Sequence, residues 1–264
     1  MNILIIGGDK RMNIALNELK KVGYKVDTLG LIEGDNGSIT SADVILLPVP
    51  TTRDGENIFC PQSDRVIPLK SLDNLPQKPL ILSCGCFCGG SCIDYLRLDG
   101  FCLLNAVPTA EGAIARAIID TPFCLWQSRV LVIGYGRVAK ILVDRLSALK
   151  CDITVSARKP RDFAMLDTLD IKHFYTKDVV QKAKEFDIIF NTIDANLFDN
   201  LDCLKNTFLY DLSTKGCLDF DAAKSMGINA QKLPGLPGKI APQSAGEIIA
   251  QTANNLIGEH LCKI

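Results

Sequence analysis

Histidine is nearly absent from this sequence. Of 264 residues only His173, in the segment IKHFY, and His260, close to the end, are histidine. A dehydrogenase built on a histidine relay and a His-rich zinc site are therefore disfavoured. An excess of charge of one sign is missing too. There are 29 Lys and Arg against 30 Asp and Glu, a formal net charge of −1, and the basic residues form no long run. That pattern excludes a nucleic-acid footprint and a polybasic membrane patch. The opening stretch, MNILIIGGDKR, has no charged n-region, and its apolar run is far too short for a signal segment or a membrane span. A cytoplasmic protein with no membrane partner is expected. The sequence contains no G-x-S-x-G elbow, no P-loop and no low-complexity segment.

Cysteine, by contrast, is not scarce. There are eleven, an odd number, and in a reducing compartment they do not form a disulfide framework. Cys60, Cys102, Cys124, Cys151, Cys203, Cys217 and Cys262 are scattered, as small apolar filler would be. The other four, Cys84, Cys86, Cys88 and Cys92, lie in LSCGCFCGGSC with the spacing C-x-C-x-C-x3-C. Structural zinc sites usually use separated C-x2–4-C pairs. A metal or iron–sulfur site and a reactive thiol pair are the alternatives to a cysteine-rich loop. We read the cluster as such a loop, with the function elsewhere.

Hydrophobic content of 47% and charged content of 22% fit a globular chain with a full core, and the length allows one large or two ordinary domains. Two stretches echo each other. NILIIGGDKRMNIALNELKKVGYKVDTLGL begins at Asn2, and RVLVIGYGRVAKILVDRLSALKCDITVSAR begins at Arg129. Each runs from a β-branched strand to glycine, then to an amphipathic helix, then to a second strand near Val26 or Ile153. Further strands are predicted over 43–49, 79–84, 101–105, 186–192, 207–213 and 228–233. Runs this apolar suit strands buried on both faces of parallel sheets. Helices are expected from Ala110 to Asp120, bridging the halves, and over 244–261 with Ser244 as N-cap. The expected fold is α/β: two Rossmann-like parallel-sheet domains with a cleft between them. Residues 1–110 would form the substrate and partner domain and 111–240 the cofactor domain, with a C-terminal helix, 241–264, returning to the first.

Gly134-Tyr135-Gly136-Arg137-Val138-Ala139 is the sharpest motif. It fits G-x-G-x-x-A, with a strand before it and a helix after it. Gly134 permits the tight turn, Gly136 lets a pyrophosphate approach the backbone, and Ala139 allows close helix packing; the phosphates then sit at a helix N-terminus. At the end of the next strand, NAD sites carry an acid. This chain has Ser156-Ala157-Arg158-Lys159 there. Two cations in place of the acid suit a 2′-phosphate, so NADP is the expected cofactor. Asn191 and Thr192, at a later strand end, would lie near the nicotinamide ribose. The corresponding turn in the first half, Gly7-Gly8-Asp9-Lys10-Arg11, lacks the second spaced glycine, and Asp9 would repel a pyrophosphate. That half is expected to shape a substrate pocket, with Arg11 as a carboxylate anchor or, alternatively, an exposed first-turn residue. Glu111, opening a helix, is either an acid/base group or a carboxylate that favours the helix dipole.

Several stretches together resemble the family of dipicolinate synthase A chains: IIGGDKR, ILSCG, NAVPTAEGAI, VIGYGRVA, SAR, NTI and LPGLPGKIAPQSAGEIIA. The resemblance covers nearly the whole chain. It implies two Rossmann-like domains and NADP-dependent oxidation of dihydrodipicolinate, or of its hydrated precursor, to pyridine-2,6-dicarboxylate. It also implies that the partner is the synthase's second, flavoprotein-like component, in the mother cell of a sporulating bacterium; a homo-oligomer is compatible with it. Carried over by position, Gly134, Gly136, Arg137, Val138 and Arg158 are cofactor contacts. Arg11, Ser83, Thr109 and Glu111 are substrate-side residues. Where the family has a Gly-Gly pair, this chain has Gly216-Cys217. An NADP-dependent dehydrogenase of another small carboxylic acid, and a cofactor-binding subunit without chemistry of its own, are the other readings.

Overall fold

A computed structural model describes residues 1–85 and 92–262. The chain forms two compact units. One comprises Met1–Asn105 with Pro237–Ile264, the other Ala106–Leu236. The first holds strands β1 (Asn2–Ile6), β2 (Lys25–Leu29), β3 (Val44–Leu46), β4 (Leu80–Ser83) and β5 (Cys92–Asp94), and helix α1 (Lys10–Val22). Helix α2 (Asp99–Asp120) starts in this unit and ends in the second. The second unit continues with β6 (Arg129–Ile133), α3 (Arg137–Ala148), β7 (Asp152–Ala157), α4 (Pro160–Thr168), β8 (Lys172–Tyr175) and α5 (Val179–Lys182). It then adds β9 (Ile188–Asn191), β10 (Phe208–Asp211), α6 (Phe220–Ser225) and β11 (Ala230–Lys232). Helices α7 (Leu236–Ile240) and α8 (Pro242–Leu261) complete the described chain.

Both sheets are parallel throughout their described pairings. Their strand orders are β2-β1-β3-β4-β5 and β11-β10-β9-β6-β7-β8. Strand alternation explains why the strands read as unbroken apolar runs. Ile3 and Ile5 point into a core shared with Met12, Leu19, Ile249 and Ile257, while Leu4 and Ile6 point into a second core with Ile45, Leu47 and Ile81. In the second unit Val130 and Val132 pack with Ala139, Leu142 and Phe190, while Leu131 and Ile133 pack with Ile189, Leu209 and Phe198. Each sheet therefore buries both faces, as parallel sheets require.

Helix α1 is bounded by Asp9 as N-cap and by Gly23 in the left-handed conformation (φ 105°). Helix α8 lies along it. Gly246 of α8 sits where a Cβ would come within 2.6 Å of the Arg11 carbonyl oxygen and of Ile14 Cβ. The absence of a side chain there permits the close approach.

The observed secondary structure departs from the expected in several places. Residues 101–105 are not a strand but the first turns of α2. Pro108, which reads as a helix boundary, lies inside that helix. Ser244 is within α8, whose N-cap is Ala241. Two short strands, β5 and β8, were not anticipated; their three and four residues carry too little pattern. Helix α2 is long and apolar enough to cross a membrane by length and composition. Here Phe101 belongs to one core of the first unit, and Ala110, Ala113, Ile114 and Ala117 to a core of the second. The units divide at Asn105/Ala106 and Leu236/Pro237, whereas the sequence suggests boundaries at 110 and 240.

Candidate functional site

The two echoed strand–turn–helix segments have opposite fates. In the second unit, β6 ends at Gly134, which adopts φ 94°, and a Cβ there would lie 2.6 Å from Ile193 Cγ2 and 2.7 Å from Thr192 Oγ1. Only glycine suits that position. Gly136 is the N-cap of α3, provides no side-chain cap, and is followed by no acidic residue in the first turn. A Cβ on Gly136 would meet nothing within 4 Å. Among the described residues no side chain caps this helix start, and open space lies beside Gly136, which suits an anion. Ala139 is fully buried against the sheet side of α3.

Next to this turn, β6 and β7 remain in register through the Gly134 N–H, which donates to the Ser156 carbonyl (2.9 Å). Ser156 is fully buried, and its hydroxyl has no hydrogen-bond partner among the described residues. Arg158 and Lys159 follow β7 and are exposed; Lys159 is the N-cap residue of α4 and makes no side-chain cap bond. Two cations are therefore available where a ribose 2′-phosphate would need them. Arg137 and Val138 open α3.

Asn191 and Thr192, at the end of β9, are held by hydrogen bonds within the second unit. Asn191 is fully buried, and its Nδ2 donates to Asp211 Oδ1 (2.8 Å) and to the Ile193 carbonyl (2.9 Å). The Thr192 hydroxyl donates to the Ile133 carbonyl (2.8 Å). Both side chains are engaged in shaping the loops around Gly134, so they position the turn. Asp211, at a strand end, was given no role from the sequence. It is fully buried and also accepts from the N–H groups of Ser213 (2.9 Å) and Cys217 (2.9 Å). An acid ending an apolar strand was the available signal. Burial and the Asp211 carboxylate push the Cys217 thiol well up.

In the first unit the equivalent turn is closed. The Gly8 N–H donates to the Phe59 carbonyl (2.7 Å), and a Cβ on Gly7 would lie 2.7 Å from both that oxygen and Cys60 Sγ. Loop residues 58–60 therefore fill the space that phosphates would use. Asp9 caps α1 by accepting from the Arg11 N–H (3.1 Å). It also takes the Arg11 guanidinium in two bonds, from Nε (2.9 Å) and Nη2 (2.8 Å). Burial raises the Asp9 pKa, but Arg11, with a smaller contribution from Arg53, outweighs it and holds the carboxyl below its usual 3.8.

That pairing rules out one of the two readings of Arg11. It is not an exposed first-turn residue: it is 6% exposed. Its Nη2 also donates to the Val49 carbonyl. Gly238 lies against it, where a Cβ would come within 2.9 Å of Nε. Ser83 is fully buried at the end of β4, with Cys92 Sγ donating to its hydroxyl at 3.3 Å. Thr109 sits within α2, half-buried, and not on a loop. Glu111 is exposed and pairs with Arg145 Nε (3.3 Å), in the last turn of α3. The nucleotide turn is at the other end of that helix, about 12 Å away by helical rise. The structure thus groups Gly134, Gly136, Arg137, Arg158 and Lys159, and sets Glu111 apart from them.

Of the cysteine cluster, Cys86 and Cys88 lie outside the described residues. Burial pushes the Cys84 thiol up to about 12, and Cys92 is half-buried. Among the described residues, no group of three or more His, Cys, Asp or Glu side chains could hold a metal ion.

Comparison with known proteins gives this geometry a context. A family model for the N-terminal domain of the dipicolinate synthase A chain matches residues 2–87. The dipicolinate synthase A chain of Bacillus subtilis (strain 168) is 27% identical over 260 residues, covering 87% of this chain and 86% of that protein. The crystal structure of the Bacillus subtilis A chain superposes with a TM-score of 0.89 at 26% identity, covering 100% of this chain and 98% of that one. The Bacillus halodurans counterpart gives 0.85 at 27% identity, covering 97% of each. This protein is similar to the dipicolinate synthase A chains. D-lactate dehydrogenase from Escherichia coli shares the fold, with a TM-score of 0.63 at 14% identity, a likeness of fold alone. Like the dipicolinate synthase A chains, this chain has two parallel-sheet α/β domains, and its second unit carries a glycine turn that opens a helix at the end of a parallel strand.

Proposed function

We propose that this chain is the NADP-binding component of a dipicolinate-forming oxidoreductase, acting with the synthase's second, flavoprotein-like component in the cytoplasm of a sporulating mother cell. The observation that carries the reading is the uncapped N-terminus of α3 at Gly136, with Arg158 and Lys159 at the end of the neighbouring strand. The likeness to the dipicolinate synthase A chains supplies the substrate, dihydrodipicolinate or its hydrated precursor.

The residues fit the cofactor. N–H groups at the start of α3 would hold the pyrophosphate, and Arg158 and Lys159 the 2′-phosphate, whose charge an acid at that place would repel. When bound, the nicotinamide supplies a hydride acceptor at C4. In such a complex a ring carbon of dihydrodipicolinate would give up a hydride to that acceptor and a ring proton to water, so that the ring becomes aromatic. Aromatisation makes the step downhill, so the protein's contribution is positioning and exclusion of side reactions. Water serves as base in this scheme because Glu111 is engaged by Arg145, away from the turn.

The test is dipicolinate formation, followed by ultraviolet absorbance, from freshly generated dihydrodipicolinate and NADP+ with the purified chain, with and without the partner. Formation by the chain alone, faster than spontaneous oxidation, supports the reading. Formation only with the partner favours a second one, a cofactor-holding chain completing a shared site; the placement of Glu111 is the observation on its side. No formation in either mixture sinks both.

A further inference from the structure

A substrate with two carboxylates needs cations, and Arg11, the obvious one in the first unit, is already neutralised. The other arginines there are Arg53, Arg65 and Arg97. Arg65 donates to the Asp35 carbonyl, and Arg97 pairs with Asp94 (3.5 Å). Arg53 has neither a hydrogen bond nor an ion pair among the described residues. Its guanidinium lies instead over the Phe59 ring, 3.9 Å from the centroid.

The surroundings hold that arrangement in place. Arg53 follows β3 in a loop that doubles back through a Thr52–Ile58 bridge. Phe59 donates to the Thr51 carbonyl (2.9 Å) and accepts from Gly8 (2.7 Å), which ties the loop to the carboxyl end of β1. The tip is fixed by Asp54, which accepts from the N–H groups of Glu56 (2.8 Å) and Asn57 (2.8 Å) and from the Thr52 hydroxyl (3.0 Å). Arg53 is exposed but close enough to Asp9 for its charge to be felt there. A rigid loop thus presents a planar, exposed guanidinium, backed by an aromatic ring, at the end of the sheet where α/β proteins bind ligands.

We propose that Arg53 is the carboxylate-binding residue of the first unit and takes one carboxylate of a planar ring dicarboxylate in a fork of two hydrogen bonds, with Phe59 beside the ring. This deepens the proposed function and rests on it. Lysine would supply charge without the fork.

The experiment titrates wild type, Arg53→Met and Arg53→Lys with dipicolinate by calorimetry in the presence of NADP+, and measures NADP+ affinity separately. Where turnover is found, KM and kcat are also compared. Losing a charged hydrogen-bonding partner should weaken dipicolinate binding and raise KM by about ten-fold or more in the Met variant, and by less in the Lys variant. NADP+ affinity and kcat should change little. Equal dipicolinate affinity in wild type and Arg53→Met overturns the proposal, as does failure of wild type to bind dipicolinate. Arg53-dependent binding without dipicolinate formation upholds this carboxylate site and overturns the oxidative reading instead.

Discussion

Replacing Gly246 with alanine sets two effects against each other. Gly246 lies inside α8, where alanine gains about 0.5–1 kcal/mol from helix propensity if the side chain has room. It does not have room. The new Cβ would lie 2.6 Å from the Arg11 carbonyl oxygen and 2.6 and 2.8 Å from Ile14 Cβ and Cγ2. Two of the three contacts involve atoms that no rotamer change can move, so the helices themselves must separate. Overpacking of this kind costs about 1–3 kcal/mol. The net effect should be a loss of about 1–2 kcal/mol, or roughly 3–8 °C in the melting of the first unit. Gly258, on the same helix, is the control: a Cβ there meets nothing within 4 Å, so Gly258→Ala should stabilise by about 0.5–1 kcal/mol. Urea titration followed by circular dichroism measures both. If Gly246→Ala matches or exceeds wild type, α1 and α8 are not as close as described, and the account of their packing is wrong.

Arg158→Ala should weaken NADPH binding by roughly ten- to a hundred-fold, as expected for a charged hydrogen-bond partner, while NADH binding stays within a few-fold; fluorescence titration with both cofactors separates the cases. Asp9→Asn should cost about 2–4 kcal/mol, because it leaves Arg11 buried without its counter-charge; the value is below that of a fully buried pair because the Asp9 side chain is 30% exposed. Since the folded Asp9 pKa lies below 3.8, its contribution is present above that pH and disappears as pH falls through the folded value. Stability curves from pH 6 downward should therefore be flatter for Asp9→Asn than for wild type, at about pH 4 and below. Among the described cysteines, Cys124 and Cys262 are exposed, whereas burial pushes Cys60 and Cys151 up to about 11 and Cys84 to about 12. Alkylation at neutral pH, read by mass spectrometry, should label Cys124 and Cys262 well before those three. Glu111→Gln should leave turnover within about two-fold, since it removes an exposed surface pair worth well under ~1 kcal/mol; a loss of a hundred-fold would return Glu111 to the chemistry.

The nucleotide turn was legible because its demands are local. Gly134 must adopt φ 94° and Gly136 must leave space, and both requirements are written within one six-residue motif. The strands of both sheets were legible for a similar reason: alternate residues such as Ile5 and Ile6 enter different cores, so both had to be apolar. Residues 101–105 misled because an apolar run followed by Pro108 has the pattern of a strand and a turn, and only its packing decides otherwise. The engagements of Arg11, Asn191 and Glu111 were not legible. Each has the chemistry of a site residue, but its partner, respectively Asp9 with Val49, Asp211 and Arg145, is fixed by three-dimensional folding. Arg53 was overlooked because nothing in the sequence marks a lone arginine as resting on Phe59.

The partnership of α1 with α8 also has a consequence for biosynthesis. The second unit, Ala106–Leu236, is one continuous stretch, and it can fold once it has left the ribosome. The first unit cannot be finished then, because α1, made long before, waits for α8, which begins at Pro242. At bacterial translation rates of about 5–20 residues per second, that interval is roughly 10–45 s. Throughout it, the flank of α1 around Ile14 is without the cover that α8 gives it. A chain cut short before α8 would hold every residue of the second unit and lack part of the first.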